Sequence, residues 1–554
     1  MKPNDPNWLS EIEHVVTVAS ADALQWDIET DVAVIGAGCA GAVAALEANA
    51  NGAKVLLVDR FVGGGASGMS GGIMYYGGGT KYQKQAGYND TPENMFNYLK
   101  KETCGIVADS TLKKFCDESV LNLDWLEKHG VKFEASMSPV KTFYPTNKYF
   151  LYYSGNELIK EYKDVAESAP RGHRVKWNGF SGEGLMHALL KSCSDYGIDM
   201  AMHSRVTQLI QDNEGRVLGF KMLQVAPGSK AEKQFVRYYH WFSKIRMYVQ
   251  PLANKLRAKL DEIEQEHTIT RLVRVKNGVV LSAGGFIFNR PMVKHYAPKY
   301  YPGAPLGSPG CNGNGIRLGE TAGGVASNMA RASSWRFINP PKSWVEGMMV
   351  NAEGKRFVNE SSYGARIGEA MAEHNNGKGT LIFTQAMLKD VLFQLMPGKV
   401  WLLLQTAPAL LSLLFNTRKA ATINALAERI NVPAAALGES VARYNTLVAQ
   451  KQDDDFYKAP EYLRALDQGP FYAMDVSVGN KIFICPTITL GGLVVDEATG
   501  LVKREDGSVI PNLYAAGRTA IGVASHSYVS GLSLADCVFS GRRAGSHISS
   551  NSIS

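Results

Sequence analysis

Residues 31–60, DVAVIGAGCAGAVAALEANANGAKVLLVDR, constrain this chain more than any other stretch. A β-rich run, Asp31 to Ile35, meets Gly36, Gly38 and Gly41 in GxGxxG spacing. An alanine-rich helical stretch follows, and Lys54–Val58 leads to Asp59. The pattern predicts a complete βαβ unit. Gly36 permits the tight turn, Gly38 lets backbone approach a pyrophosphate, and Gly41 lets helix and strand pack closely. Ala40 stands at the start of a helix whose N-terminus faces the phosphates. Asp59 ends the second strand, where an acid accepts ribose hydroxyls, with Arg60 beside it. A GxGxxG alone carries little weight; one framed by two strands and a terminal acid points to a bound dinucleotide.

A glycine-rich loop follows directly, GGGASGMSGGIMYYGGG at 63–79. Its composition suits neither helix nor strand, and its place after a ribose-binding strand suits a loop laid against a flat ligand better than a linker. Ser67, Ser70, Gly71 and Gly72 are its candidate contacts. Further along, RLVRVKNGVVLSAGGFIFN at 271–289 reads as another parallel strand ending at Gly284–Gly285, its C-terminal end toward the same ligand. The Asn213–Glu214–Gly215 break between two β-rich runs reads as a hairpin. The α/β class follows, and 554 residues exceed what one core serves, so two domains are expected.

We expect residues 1–289 to form the first part of a Rossmann-like domain, 290–475 an inserted α+β substrate domain, and 476–554 the return of the chain to the first domain. In that return, NLYAAGR runs from a strand into Gly517, and SLADCVFSGRRAG reads as a helix opening at Ser533 and Leu534, whose N-terminal end points at the ligand. Two insertions stand out. Residues 229–266 place aromatic and aliphatic residues near helical spacing among Lys and Arg. Residues 387–416 contain VWLLLQTAPALLSLLF, sixteen residues interrupted by Gln405 and Pro408 and shorter than the ~20 needed to cross a bilayer. Either pair of helices packs internally or at a homo-oligomer interface, or it docks on a membrane surface as a basic amphipathic helix and an apolar hairpin.

The formal charge of +7 is modest for this length, and without a Lys/Arg tract or aromatic–basic interleaving it argues against a nucleic-acid partner. Seven cysteines, scattered and without CxxC spacing, argue for a reducing compartment and against a disulfide framework, a zinc site or an iron–sulfur cluster. The opening MKPNDPNWLSEIEH lacks a signal pattern, so a cytoplasmic location is expected, peripheral on the inner face of the cell membrane if the insertions dock there.

Together the GxGxxG with Asp59, the GGGASGMSGG loop, NGNGIRLGETAGG, the GKRFVNES turn and the closing GGLVVDEATG and LYAAGR resemble the fumarate reductase/succinate dehydrogenase flavoprotein superfamily. The likeness covers nearly all of residues 30–545. It implies a GR2-type nucleotide-binding domain, tightly but non-covalently held FAD, and a site between flavin and inserted domain. Asn314 departs from the Asp that many members carry, so that loop is given no catalytic role. Dicarboxylate enzymes of the superfamily place an arginine in the C-terminal stretch, because carboxylates need bidentate cationic donors. Here SHSYVSGLSLAD puts Tyr528 at that place, which argues against a dicarboxylate.

Tyr528–Val529–Ser530, a tyrosine after the GKRFVNE turn (Tyr363), and the segments YYSGNE and PRGH resemble the 3-ketosteroid dehydrogenases, closest to their Δ4-(5α) branch. Leu532 stands where the Δ1 branch carries glycine. The implied reaction places a ring A double bond beside a 3-keto group. A donor steadies the enolate oxygen, a base takes the α-proton, and flavin N5 takes the β-hydrogen as hydride. We expect Tyr528 as base assisted by Ser530, with Tyr363 contacting the carbonyl or sharing proton transfer; spacing leaves the two tyrosine roles exchangeable. His526 is a further candidate acid. The Δ1 reaction, a fumarate-reductase-like ene reductase, and a flavin electron-transfer module remain alternatives. With no second GxGxxG for a nicotinamide, electrons are expected to leave to a quinone or other acceptor.

Overall fold

A computed structural model describes residues 12–245 and 250–550; the two ends of the chain and part of the first insertion lie outside them. Strand β1 (Ile28–Ile35) is followed by helix α1 (Cys39–Ala50) and strand β2 (Val55–Val58), the βαβ unit that the glycine spacing predicts. β1 and β2 pair in parallel, and β3 (Asp199–Ala201) extends the sheet in parallel beyond β2. β4 (Ser204–Gln211) and β5 (Val217–Val225) form the expected antiparallel hairpin around Gly215.

The first insertion folds as two helices, α2 (Lys230–Ile245) and α3 (Gln250–Glu266). Its aromatic stripe faces inward at Phe235, Tyr239 and Phe242, with Trp241 left outside. Phe235, Tyr239, Leu260 and Ile263 are buried around Phe61 and Val225, and the Phe61 ring stacks on Tyr239 at 4.7 Å. This insertion therefore packs on the sheet through the residues that give it its amphipathic pattern.

β6 (Thr268–Leu281) joins the layers: its first half pairs antiparallel with β5, its other edge runs parallel to β1, and its last three residues run parallel to the returning strand. Val32, Val34, Val280 and Tyr514 bury against α1, whose alanines let a second helix approach.

The inserted portion holds its own antiparallel sheet, β7 (Met348–Val350), then α4 (Gly364–His374), β8 (Thr380–Thr384), α5 (Gln385–Gln394), α6 (Ala407–Phe415), β9 (Thr417–Ala420) and β10 (Phe471–Asp475), in the order β7-β8-β10-β9. A separate core of Trp344, Met349, Leu381, Tyr444 and Met474 fills it, with members running from Ile338 to Cys485. Met292, Val293, Ile316, Leu318 and Met329 instead bury with Ala33 and Leu281 against the nucleotide-binding sheet. These five residues serve the first core because their apolar side chains face the sheet, while Ala297 and Tyr300 bury with Ala332 and Ala372.

The chain returns as β11 (Val509–Ala515), parallel to β6, and ends in α7 (Leu532–Ser550). A Cβ at Gly541 would sit 2.6 Å from Ala40 O, so α7 lies directly on α1. Among the described residues no helix is long and apolar enough to cross a membrane.

Candidate active site

The ends of β1, β2 and β6 and the start of α1 enclose a cleft of about 890 Å³. Gly36 adopts φ +109°, where an L side chain is strained, and a Cβ there would lie 2.6 Å from Ser282 O. At Gly41 a Cβ would meet Gly36 O at 1.8 Å, so helix and turn are in backbone contact. No side chain caps α1 at Gly38; Ser67 Oγ accepts from Cys39 N at 3.1 Å. Asp59 is held by its own loop: Oδ2 accepts from Ala37 N at 2.9 Å and Oδ1 from Phe61 N at 2.8 Å. Burial raises its pKa against these bonds, and Oδ2 keeps a second acceptor site for a ribose hydroxyl.

Gly36, Gly38, Ala40, Asp59, Arg60, Ser67 and Gly517 all line the cleft. Arg60 is also committed elsewhere, donating to Glu264 from Nε at 2.8 Å and from Nη2 at 2.5 Å. Gly41, Ser70, Gly71, Gly72, Gly285, Ser533 and Leu534 lie outside that lining. Ser70 Oγ donates to Ser67 O and accepts from Gly72 N, Gly72 abuts Ser181, Gly71 abuts Ile73 and Tyr144, Gly285 backs onto Thr489, and Ser533 and Leu534 open α7. Arg518 is one of the arginines whose spacing suits flavin phosphate contacts or the surface of the closing helix, and Asn314 lies in the loop given no catalytic role. Both line the cleft, and Arg518 Nη1 and Asn314 Oδ1 are buried without a hydrogen-bond partner among the described residues. A donor and an acceptor left unpaired in this cleft fit a bound dinucleotide.

Beyond the cleft, Tyr152, Tyr363, Tyr528 and Ser530 converge from distant parts of the chain. Tyr363 occupies the N-cap position of α4 and is 5% exposed. Its N–H donates to Asn156 Oδ1 at 2.8 Å, and Asn156 Nδ2 in turn donates to Glu102 Oε1 at 2.7 Å. Phe337 packs edge-on to Tyr363 with centroids 5.6 Å apart. Tyr528 stacks on Trp335 at 4.6 Å. Ser530 is pinned by Ser154, which accepts its N–H at 3.2 Å and donates Oγ to its carbonyl at 3.0 Å.

Ser530 Oγ lies 3.5 Å from the Tyr152 hydroxyl, and it is the acidity of Tyr363, not of Tyr528, that Ser530 hydrogen bonding moderates. Residues two apart in the turn point to different neighbours. Burial, then Tyr528 and Tyr152, drives the Tyr363 pKa well above its ordinary value. Burial pushes Tyr528 only up to about 12, with Arg518 pulling against it. His526 is held by Arg331, whose Nη2 donates to its carbonyl at 3.2 Å, and burial, then Arg331, lowers its pKa. The ring lies beside a polar cavity lined by Glu102, Arg331, Arg366, Glu369 and Tyr528. Tyr152, Asn156 and Trp335 escaped sequence reasoning; the only available signal was the YYSGNE segment, which carries a resemblance but no spacing to the other hydroxyls.

The 3-oxo-5-alpha-steroid 4-dehydrogenase of Comamonas testosteroni is 35% identical to this chain over 516 residues, 92% of this chain and 96% of that one. A fumarate reductase (cytochrome) of Shewanella frigidimarina is 26% identical over 93% of this chain and 76% of its own length. Among solved structures, a 3-ketosteroid-delta4-(5alpha)-dehydrogenase from Rhodococcus jostii RHA1, in complex with 4-androstene-3,17-dione, superposes with a TM-score of 0.81 at 28% identity, covering 97% of this chain and all of that one. The family model for the FAD binding domain matches residues 31–534, nearly the whole described fold, and the chain belongs to that family of flavoproteins.

Proposed function

We propose that this protein is an FAD-dependent 3-ketosteroid dehydrogenase that introduces a ring A double bond next to the 3-keto group, with the 4,5-position of a 3-oxo-5α-steroid favoured. The observation that carries this reading is a cluster of neutral hydroxyls, Tyr363, Tyr528 and Ser530, walled by Trp335 and Phe337. The arginines of the adjoining cavity are taken: Arg331 pairs with Glu369 at 2.8 Å and Arg366 with Glu161 at 2.5 Å. Such a surface suits an apolar ketone and offers a dicarboxylate no free bidentate partner. The similarity to the Comamonas and Rhodococcus enzymes supports the same reading.

FAD, which Gly36, Gly38, Asp59, Arg518 and Asn314 would hold non-covalently with residues 67–72 and the start of α7 as further contacts, would supply the hydride acceptor. Tyr528, the more acidic tyrosine, donates to the carbonyl oxygen and strengthens that bond as enolate charge develops. Ser530 accepts the α-proton while passing its own to Tyr363, which in turn releases its hydroxyl proton to water. The tyrosine roles are thus exchanged relative to the sequence expectation, on the strength of Ser530's partners. Electrons leave to a quinone or other acceptor, and the protein works in the cytoplasm in peripheral contact with a membrane surface, as a monomer or homo-oligomer.

Anaerobic addition of a 3-oxo-5α-steroid tests the reading. The yellow protein should bleach and yield the 4-ene, whereas succinate and reduced nicotinamide should leave it oxidised. Bleaching by succinate but by no 3-ketosteroid overturns the proposal.

A further inference from the structure

The second insertion differs from the first in what it leaves outside. Phe393, Leu402, Leu403, Leu414 and Phe415 are 61–73% exposed, and Leu392, Met396, Leu410 and Leu411 add to them, all within 24 residues of chain. Soluble proteins rarely leave so much apolar side chain together. The charge around it is one-sided. From Gln385 to Ala421 the cations are Lys389, Lys399, Arg418 and Lys419, all exposed, and the single acid is Asp390. Asp390 is bound to Arg464 at 2.6 Å, and none of the four cations has a carboxylate partner among the described residues. Lys399 Nζ lies over the Phe393 ring, placing a cation at the edge of the apolar surface.

The inner face of the same segment covers the site. Trp401 and Leu404 pack on a buried cluster of Ile73, Tyr144 and Tyr152 together with Phe143 and Phe180. Trp401 Nε1 donates to Pro145 O at 2.9 Å, and Gln405 Nε2 donates to Tyr144 O at 3.1 Å. Tyr152 is the residue whose hydroxyl meets Ser530. From Phe143 the aromatic wall continues through Phe337, stacked at 4.1 Å, to Trp335 and Tyr528. One short segment therefore presents apolar side chains outward and roofs the hydroxyl cluster with apolar side chains inward.

We propose that residues 392–415 dock on an anionic lipid surface and form the entrance through which an apolar substrate passes from the lipid to Tyr528 and Ser530. Insertion of the leucines places the roof at the membrane boundary, and the cation rim selects anionic headgroups. A substrate with little solubility in water then never crosses bulk solvent. The entrance role rests on the proposed steroid activity; the docking does not.

The test uses the full-length holoprotein with phosphatidylcholine vesicles, with and without about a quarter phosphatidylglycerol. The wild type should float with the mixed vesicles and much less with phosphatidylcholine alone. The triple variant Leu410→Ser, Leu411→Ser, Leu414→Ser, all surface positions, should float at least about tenfold less. Lys399→Gln with Lys419→Gln should lose only the preference for phosphatidylglycerol. For a 3-ketosteroid dissolved in vesicles the triple variant should raise KM at least about threefold, while turnover of cyclodextrin-delivered steroid is unchanged. Equal flotation of wild type and variant overturns the docking. So does a wild type that stays unbound and sediments as a dimer which the variant breaks, since the patch then belongs to a second copy. Flotation without bleaching by any 3-ketosteroid overturns the proposed activity and leaves the docking standing; bleaching with a KM indifferent to vesicles overturns the entrance alone.

Discussion

The dinucleotide cleft and the hydroxyl cluster adjoin one another but are built by opposite means. In the cleft, backbone comes within contact distance of backbone at Gly36 and Gly41, and the carboxylate of Asp59 is aimed by three N–H groups of its own loops. In the cluster the meeting groups are side chains, held in place through the backbone of the residues that carry them. Four side-chain hydroxyls meet from three separated parts of the chain, and three of them are pinned by different neighbours: Tyr363 by Asn156, Ser530 by Ser154, Tyr528 by Trp335. The first arrangement tolerates no added atom and the second tolerates no lost hydroxyl, so each region should fail in its own way.

The largest effect is expected from Gly41→Ala. Its Cβ would lie 1.8 Å from Gly36 O, so the turn must open, and bound flavin should fall below about a tenth of the wild-type ratio in the visible spectrum. A variant that keeps its flavin breaks the claim that the cleft is made of backbone contact. Next is Tyr528→Phe, which removes a preorganised donor and should lower turnover on the order of a hundredfold with flavin content intact. Near-unchanged turnover, with chemistry shown to limit the rate, would remove Tyr528 from the mechanism. A donor must stay protonated, so with Tyr528 pushed up to about 12 turnover should hold level through about pH 10 and fall only beyond it. The sign for stability is the same. The folded pKa stands above the unfolded value of about 10, so the folded protein holds this proton longer and loses stability as pH rises between the two. A rate that climbs tenfold per unit from neutral pH would instead make Tyr528 the base.

Ser530→Ala and Tyr363→Phe should each cost on the order of tenfold. Acting through one proton chain, they should be non-additive, the double variant being little worse than either; full additivity in kcat would separate them. Arg60→Ala should do least to activity. It lines the cleft but serves Glu264 and Asp261, so about 2 kcal/mol of stability should be lost in urea unfolding while flavin is retained. Loss of flavin there would show Arg60 to be a cofactor ligand first.

The same contrast separates what is legible in the amino-acid sequence from what is not. The βαβ unit is legible because every contact it needs lies within thirty residues, and a glycine spacing is itself a statement about backbone distance. The hairpin around Gly215 and the return of the chain along β11 are legible for similar reasons. Tyr363, Tyr528 and Ser530 are reached only through resemblance. Tyr152 is 378 residues from Ser530 and is not reached at all. No local periodicity records which hydroxyls meet across such a separation. The two insertions look alike in sequence because an amphipathic stripe specifies a buried face without naming what buries it. Phe61 supplies that partner for α2 and α3, whereas the exposed leucines of 402–415 have none among the described residues.

The anchoring of Tyr363 at the first turn of α4 carries a mechanical consequence. Tyr363 opens α4, whose Ile367 and Met371 lie in the inserted core, whereas Tyr528 and Ser530 flank Val529 of the nucleotide-binding one, and the Asn156 bond joins Tyr363 to the latter side. With the roles proposed for these residues, turnover should therefore depend on how the two cores are seated on each other. A substitution at the seam can silence turnover by tilting one body against the other while leaving each half folded and the flavin in place, much as a lock fails when its plate shifts although key and bolt are sound.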